Sequence, residues 1–230
     1  MDTYTGFLVS LTKYGDQDAI LHLITNEAGF QSFYVKNIYA KKNKKKPYLS
    51  LLNELQIVTS KGFSKGNLKF ASKLDLVSEL QVATDFKAQS IVFFISEVFN
   101  SILRNEESSN WFYENIIELR HQLENEHYHC HLILLVVMLK NLGASPLLSE
   151  HTFLDPEEGA FVNQMYNRYF SEEISTIWKN ILQSQEPFKI EIKNQNRKMM
   201  MDSLLIYYQL HIPGFKTPES LEVLQQIFEG

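Results

Sequence analysis

The sequence predicts an α+β protein, in which an N-terminal five-stranded β-barrel precedes an all-α C-terminal region. From Thr5 to about Val77 apolar residues recur at spacing two in short runs divided by turn residues, as strands with one buried face require. After Leu80 the period changes to about 3.6, the repeat of a helix. Five short strands in about 75 residues, joined by irregular connections, fit a small closed barrel of the OB type, since a flat sheet would leave its edges exposed.

The first run sets Phe7, Val9 and Leu11 on one face and ends at the Tyr14-Gly15-Asp16 turn. The second alternates Ala19, Leu21 and Leu23 against Ile20, His22 and Ile24, and closes at Asn26-Glu27-Ala28-Gly29. A third is expected from Phe30 to Tyr39 and delivers the chain into Lys41-Lys42-Asn43-Lys44-Lys45-Lys46. The fourth is expected over about Leu49 to Thr59, followed by the turn-rich stretch 61–67. In the fifth, Leu68, Phe70, Leu74 and Leu76 are expected to point one way, with Asn67, Lys69, Ala71, Lys73 and Asp75 opposite.

The change of period places a domain boundary after residue 80, giving an OB-type β domain over 1–80 and a helical domain over 81–230. Ile91, Phe94, Ile95, Val98, Phe99 and Ile102 form a helical stripe with Thr84 or Asp85 as N-cap. A second helix is expected from Asn110 to Leu123, and a third contains Leu132 to Leu139 and stops at Leu142-Gly143. That third helix is apolar all round, which predicts a central place in the helical core. Pro146, Pro156 and Gly159 make 143–170 irregular, with a small hairpin around Phe153 and Phe161. Further helices are expected from Ser171 to Leu182, Gln195 to Leu210 and Pro218 to Phe228, the last with Thr217 as cap and Pro218 in the first turn.

The chain carries 22 Lys and Arg against 27 Asp and Glu, but the charge is divided unevenly. Residues 1–75 hold 11 lysines and 6 acids, or +5, whereas 76–230 hold 11 bases and 21 acids, or −10. Five ammonium groups within six residues, at the end of a strand, point to a polyanion. The N-terminus lacks a basic flank joined to an apolar segment, and the longest apolar run, Leu132 to Leu139, is too short to cross a bilayer. A cytoplasmic protein without membrane attachment is therefore expected. One cysteine, Cys130, excludes an intrachain disulfide.

The phosphate-loop, dinucleotide, nucleophile-elbow and H-E-x-x-H signatures are all missing, so a non-catalytic protein without cofactor is expected. His127-Tyr128-His129-Cys130-His131 sets two histidines at helical spacing, half of a metal site at most. A metal-dependent hydrolase built on that cluster is the third-ranked reading, and no metal site is assigned. His22, on a strand face with isoleucines, reads as a satisfied barrel residue.

For nucleic acid the first 80 residues offer amines for phosphates and aromatic rings for bases. Lys36, Lys41, Lys42, Lys44, Lys45 and Lys46 form one basic group, with Tyr34 and Tyr39 as stacking candidates and Phe33 assigned to the core. Lys61, Lys65, Lys69 and Lys73 form a second, from the connection between strands four and five and the outward face of strand five. Residues 1–75 contain no arginine, the side chain that reads guanine with a planar fork, which predicts binding indifferent to base sequence. The alternative reading is a protein-interaction adaptor whose basic barrel meets an acidic partner.

Thr5-Gly6-Phe7-Leu8-Val9-Ser10-Leu11-Thr12-Lys13-Tyr14-Gly15-Asp16 with Asp18-Ala19-Ile20-Leu21 and Thr25-Asn26-Glu27-Ala28-Gly29 resembles the start of the RecO family of bacterial recombination mediators. The basic loop is similar too, and the endings Tyr207-Tyr208-Gln209-Leu210-His211 and Ser220-Leu221-Glu222-Val223-Leu224 look most like members from the Bacteroidetes. The resemblance implies an OB domain followed by a helical domain. It implies a DNA repair and recombination protein that binds single- and double-stranded DNA, anneals complementary strands and is associated with the nucleoid during repair. Its implied partners are RecR and the C-terminal tail of single-stranded DNA-binding protein, and through them RecA. DNA contact carries over to Lys36 and Lys41 through Lys46. Arg104, Arg120 or the Arg197-Lys198 pair could receive a tail carboxylate. Many members hold zinc with four cysteines after the central helix, where this chain has Ser145 to Asn167 and no cysteine, so an apolar core around Phe153 and Phe161 is expected in its place.

Overall fold

The computed structural model describes residues 1–65, 68–105 and 110–229, with side chains described except at 61–65, 105 and 229. Strands β1 (Thr3–Tyr14), β2 (Asp18–Thr25), β3 (Gly29–Val35), β4 (Glu54–Lys65) and β5 (Leu68–Ser78) close into a barrel in the order β1-β2-β3-β5-β4. The expected five-stranded barrel is therefore present. β1 makes closure possible because it pairs with β4 over Thr3 to Phe7 and with β2 over Gly6 to Tyr14. Gly6 lies where both partners meet, and a Cβ there would fall 2.6 Å from the Ile24 carbonyl oxygen. β3 and β5 form the parallel pair, with Tyr34 opposite Phe70.

Leu8, Leu21, Leu23, Phe33, Leu55, Ile57 and Leu74 fill the barrel, and Leu11, Ala71 and Leu76 pack against them. Of the register shifts in the barrel, one in β1 and one in β5 overturn the facing read from sequence. Leu8 opposes Leu23 but Ser10 opposes His22, so Val9 is an extra residue in β1. Phe7 consequently faces outward, 4.8 Å from the ring of Tyr113, while Leu11 returns to the interior. The expected shared face of Phe7, Val9 and Leu11 is corrected by that insertion. In β5 the register shifts between Thr59–Ala71 and Val58–Lys73, making Ser72 the extra residue. Lys69 and Ala71 therefore share the inward side with Leu74, against the expectation that Lys69 and Lys73 point together.

Three strand boundaries also move, one of them the end of β4, which runs to Lys65 through part of the stretch expected as a turn instead of stopping at about Thr59. β3 ends at Val35 and the chain turns through 36–40, so Tyr39 is not on a strand. β4 begins at Glu54, after a 3-10 turn over Lys46–Leu49 and a left-handed Leu52 at φ 58°. The apolar residues there mimic a strand because Leu49 and Leu51 are packed against the barrel core and Leu52 is fully buried.

The chain forms two compact units, Met1–Asn125 with Pro218–Gly230 and Glu126–Thr217. In the first, α1 (Phe86–Ile102) starts at Asp85, whose carboxylate accepts from the amides of Lys87 and Ala88, and buries the expected stripe. Helix α2 (Asn110–Glu124) lies against β1, β2 and β3. Helix α6 (Leu221–Glu229) packs on α1 and starts three residues later than expected, because another side chain takes the capping role. The Glu97 carboxylate accepts from the amides of Glu219 and Ser220 and from the Ser220 hydroxyl, while Thr217 instead accepts from Gln209. In the second unit α3 (Cys130–Asn141) is buried from Cys130 to Leu139 and ends before Gly143 at φ 69°. Around it lie α4 (Glu172–Gln183) and α5 (Asn194–His211), and the hairpin of β6 (Phe153–Asp155) and β7 (Ala160–Val162) packs on α4. Tyr208 donates to the Leu135 carbonyl and Trp178 donates to Ser203, which satisfies the polar atoms of two large buried rings. Among the described residues no helix is long and apolar enough to cross a membrane.

Glu97 gives the fold a testable pH dependence. Burial raises the affinity of its carboxyl for a proton, but the three hydrogen bonds from Glu219 and Ser220 outweigh this and hold it below the usual glutamate value. Its folded-state value lies below the unfolded one, so the contribution is present above the unfolded value and is lost as pH falls through the folded one. Glu97→Gln should lower stability by about 0.5–2 kcal/mol at neutral pH, the range of a helix cap, and shrink the difference below about pH 4. Thermal melts of both proteins across that range check it, and an equal deficit at every pH contradicts it.

Candidate nucleic-acid interface

The lysine loop is held in place rather than appended. Ile38 is buried in the barrel core, and Tyr39, Tyr48, Leu49 and Leu51 pack beside it, so apolar residues on both flanks fix the intervening lysines. Backbone bonds add to this, with the Tyr39 amide donating to Gln17 at 2.8 Å and Asn43 bridging to the Asn37 carbonyl and the Lys45 amide. Buried Asn53 donates to the Tyr48 carbonyl at the far end. Lys36, Lys41, Lys42, Lys44 and Lys46 remain exposed on this frame.

Lys45 is placed differently. Its ammonium donates to the Leu74 carbonyl and lies 3.5 Å from Asp75, which also pairs with Lys73 at 2.7 Å. The hydrogen bond from Lys73, helped by the charges of Lys73 and Lys45, holds the Asp75 carboxyl below its ordinary range. Asp75 therefore joins the two basic groups read from sequence, although both ion pairs are too solvated to contribute much stability. Lys69 leaves the second group: its ammonium sits 5.4 Å from the Tyr4 ring centre and donates to Gln31. Lys61 and Lys65 fall among the side chains outside the described residues.

Tyr34 is half-buried on the outer surface of β3, between Phe70 of β5 at 5.1 Å and Tyr14 at the end of β1 at 5.7 Å. Its hydroxyl donates to Asp18, which also accepts from the Asn37 amide. The Asn37 bond foremost, then the Tyr34 bond, keep Asp18 ionised below its usual value, with Lys36 close enough to contribute. Phe33 lies fully buried inside the barrel, as assigned. Tyr14 and Phe70 went unrecognised in the sequence. Tyr14 reads there as a turn residue, and Phe70 as core, because only barrel closure sets it against Tyr34 across a parallel pair.

The arginines considered for a partner carboxylate have other occupations. Arg120 is 9% exposed, donates to Ser78, lies 4.0 Å from Glu54 and covers the Phe7 ring at 5.1 Å. Tyr113 donates to the same Glu54, and burial first, then that carboxylate, raise its hydroxyl well above the usual range. Arg120 thus binds α2 to the barrel and is corrected from a surface contact to a packing residue. Arg104, in the 3-10 turn that follows α1, bonds Asn100 of that helix, and Arg197 donates to the Ile192 carbonyl with His129 at 3.5 Å. Lys198 is exposed. His127 precedes α3 instead of sharing a helical face with His131. His131 is bonded to the Tyr128 carbonyl and burial pushes it down to about 4, while His129 meets the Ile190 carbonyl. Among the described residues no cluster of three or more potential metal ligands is found.

Residues 1–79, which span the barrel, match the family model described as "Recombination protein O N terminal". The chain is 29% identical over 240 residues to "DNA repair protein RecO" of Flavobacterium psychrophilum, covering 96% of each protein. It is 27% identical over 235 residues to the protein of the same name from Flavobacterium johnsoniae, again over 96% of each. A solved asparaginyl-tRNA synthetase from Entamoeba histolytica overlaps 66% of this chain and 35% of that one, at 10% identity and a TM-score of 0.28, and carries no argument.

Proposed function

We propose that this chain is a member of the RecO family and, on that premise, a non-catalytic mediator of DNA repair and recombination. Residues 1–80 bind single- and double-stranded DNA through phosphate, without reading base sequence, and the helical remainder receives protein partners. The observation that supports this most is the ordered lysine loop, with Lys36, Lys41, Lys42, Lys44 and Lys46 exposed on an apolar frame. Lysines held on a frame neutralise phosphate with less ordering cost than a mobile tail would bear.

Annealing follows from the same electrostatics. Two strands repel until counter-charge lowers the cost of approach, so a barrel that holds one strand by its backbone leaves the bases free to accept a complement. RecR and the tail of single-stranded DNA-binding protein are the proposed protein partners, RecA acts downstream, and the work takes place at the nucleoid in the cytoplasm. The test is annealing of complementary oligonucleotides coated with single-stranded DNA-binding protein, either intact or lacking its tail. The reading expects acceleration on the intact coat and a marked loss on the truncated one. Annealing at the spontaneous rate on bare and coated strands alike would contradict it.

A further inference from the structure

We infer that Tyr14, Tyr34 and Phe70 form a base-stacking surface that makes the barrel prefer a single strand over a bare phosphate polymer. This rests on the proposed DNA-binding reading and adds to it a second, uncharged component. The three rings come from β1, β3 and β5, with centres 5.7 and 5.1 Å apart, and they meet across the outside of the barrel. Asp18, at the start of β2, pairs with Tyr14 in the sheet register and accepts from the Tyr34 hydroxyl, so it lies beside both rings. Tyr14 is 57% exposed, and Tyr34 and Phe70 keep partial exposure beside it.

The charges beside these rings are ordered by sign. Asp18 lies beneath them as an ionised carboxylate, fixed by the Tyr34 hydroxyl and the Asn37 amide. Lys36 follows β3 on the same side, and Lys73, paired with Asp75, lies beyond Phe70 along β5. Phosphates are repelled by Asp18 and attracted to the lysines, so a strand on this surface turns its bases toward the rings. Every base offers a π-face, so stacking adds affinity without sequence preference. Duplex bases are already stacked on one another, and this component is not available to them.

The test compares oligo-dT with an abasic phosphodiester polymer of equal length on the full chain, each titrated at several salt concentrations. We expect oligo-dT to bind roughly tenfold more tightly, with the same salt slope for both. The double variant Tyr14→Leu/Phe70→Leu keeps apolar side chains and leaves one ring of the three, Tyr34; it should lose most of the oligo-dT preference while holding the wild-type abasic affinity, which also shows that the variant is folded. Equal binding of the two polymers by the wild type overturns the stacking surface and leaves the charge-based reading standing. An undiminished preference in the double variant also overturns it. Salt-independent binding of the abasic polymer removes the parent reading instead.

Discussion

Replacing Lys41, Lys42, Lys44 and Lys46 together by alanine should weaken binding to a random-sequence oligonucleotide by roughly a hundredfold or more at about 0.1 M salt. Each ammonium that neutralises a phosphate releases a counterion, and the free energy of that release grows as salt is diluted. All four side chains are exposed. Surface substitutions of this kind change stability by only about 0.5 kcal/mol in either direction, so unfolding cannot account for such a loss. Lys45 is left in place because its bonds to the Leu74 carbonyl and Asp75 give it a role in holding the loop. Anisotropy titrations should show the loss on every sequence alike and a salt slope shallower by about 3, whereas unchanged affinity would make the loop a solvated ornament.

Phe33→Ala should destabilise the barrel by about 3–5 kcal/mol, with a fall of roughly 10 °C in its melting temperature. Phe33 is fully buried, lies among the core leucines and packs 5.4 Å from Tyr4. Removing its ring deletes apolar contact and leaves a cavity that β-strands paired on both edges cannot collapse to fill. Phe33→Leu keeps most of the volume and should cost less than about 1.5 kcal/mol. Equal melting of both variants with the wild type would mean that the barrel is not closed around this residue.

The barrel was legible because its strands keep one face apolar, and the spacing survives in β2, where Ala19, Leu21 and Leu23 enter the core as the pattern demands. It became illegible at Val9 and Ser72, because a bulge inserts one residue without changing composition, and everything beyond it changes side. That explains the misplacement of Lys69 and Phe70. The sequence overextends the end of the third strand and the start of the fourth because Ile38, Leu49 and Leu51 are apolar for another reason, namely that they fix the lysine loop to the barrel. The start of α6 was misread because its cap, Glu97, lies more than a hundred residues earlier in the chain. Local residues set a local expectation, and a distant carboxylate displaced it. Lysine density was visible from composition, but the link through Asp75 between two basic groups depends on a side-chain geometry that no spacing encodes.

The most direct test of charge-based, sequence-indifferent binding is the logarithm of affinity against the logarithm of salt, measured on random-sequence single strands with the unmodified chain. About four to six phosphate contacts predict a slope of roughly −3 to −5, the same for unrelated sequences. A slope near zero, or one that differs widely between sequences of equal length, would contradict it.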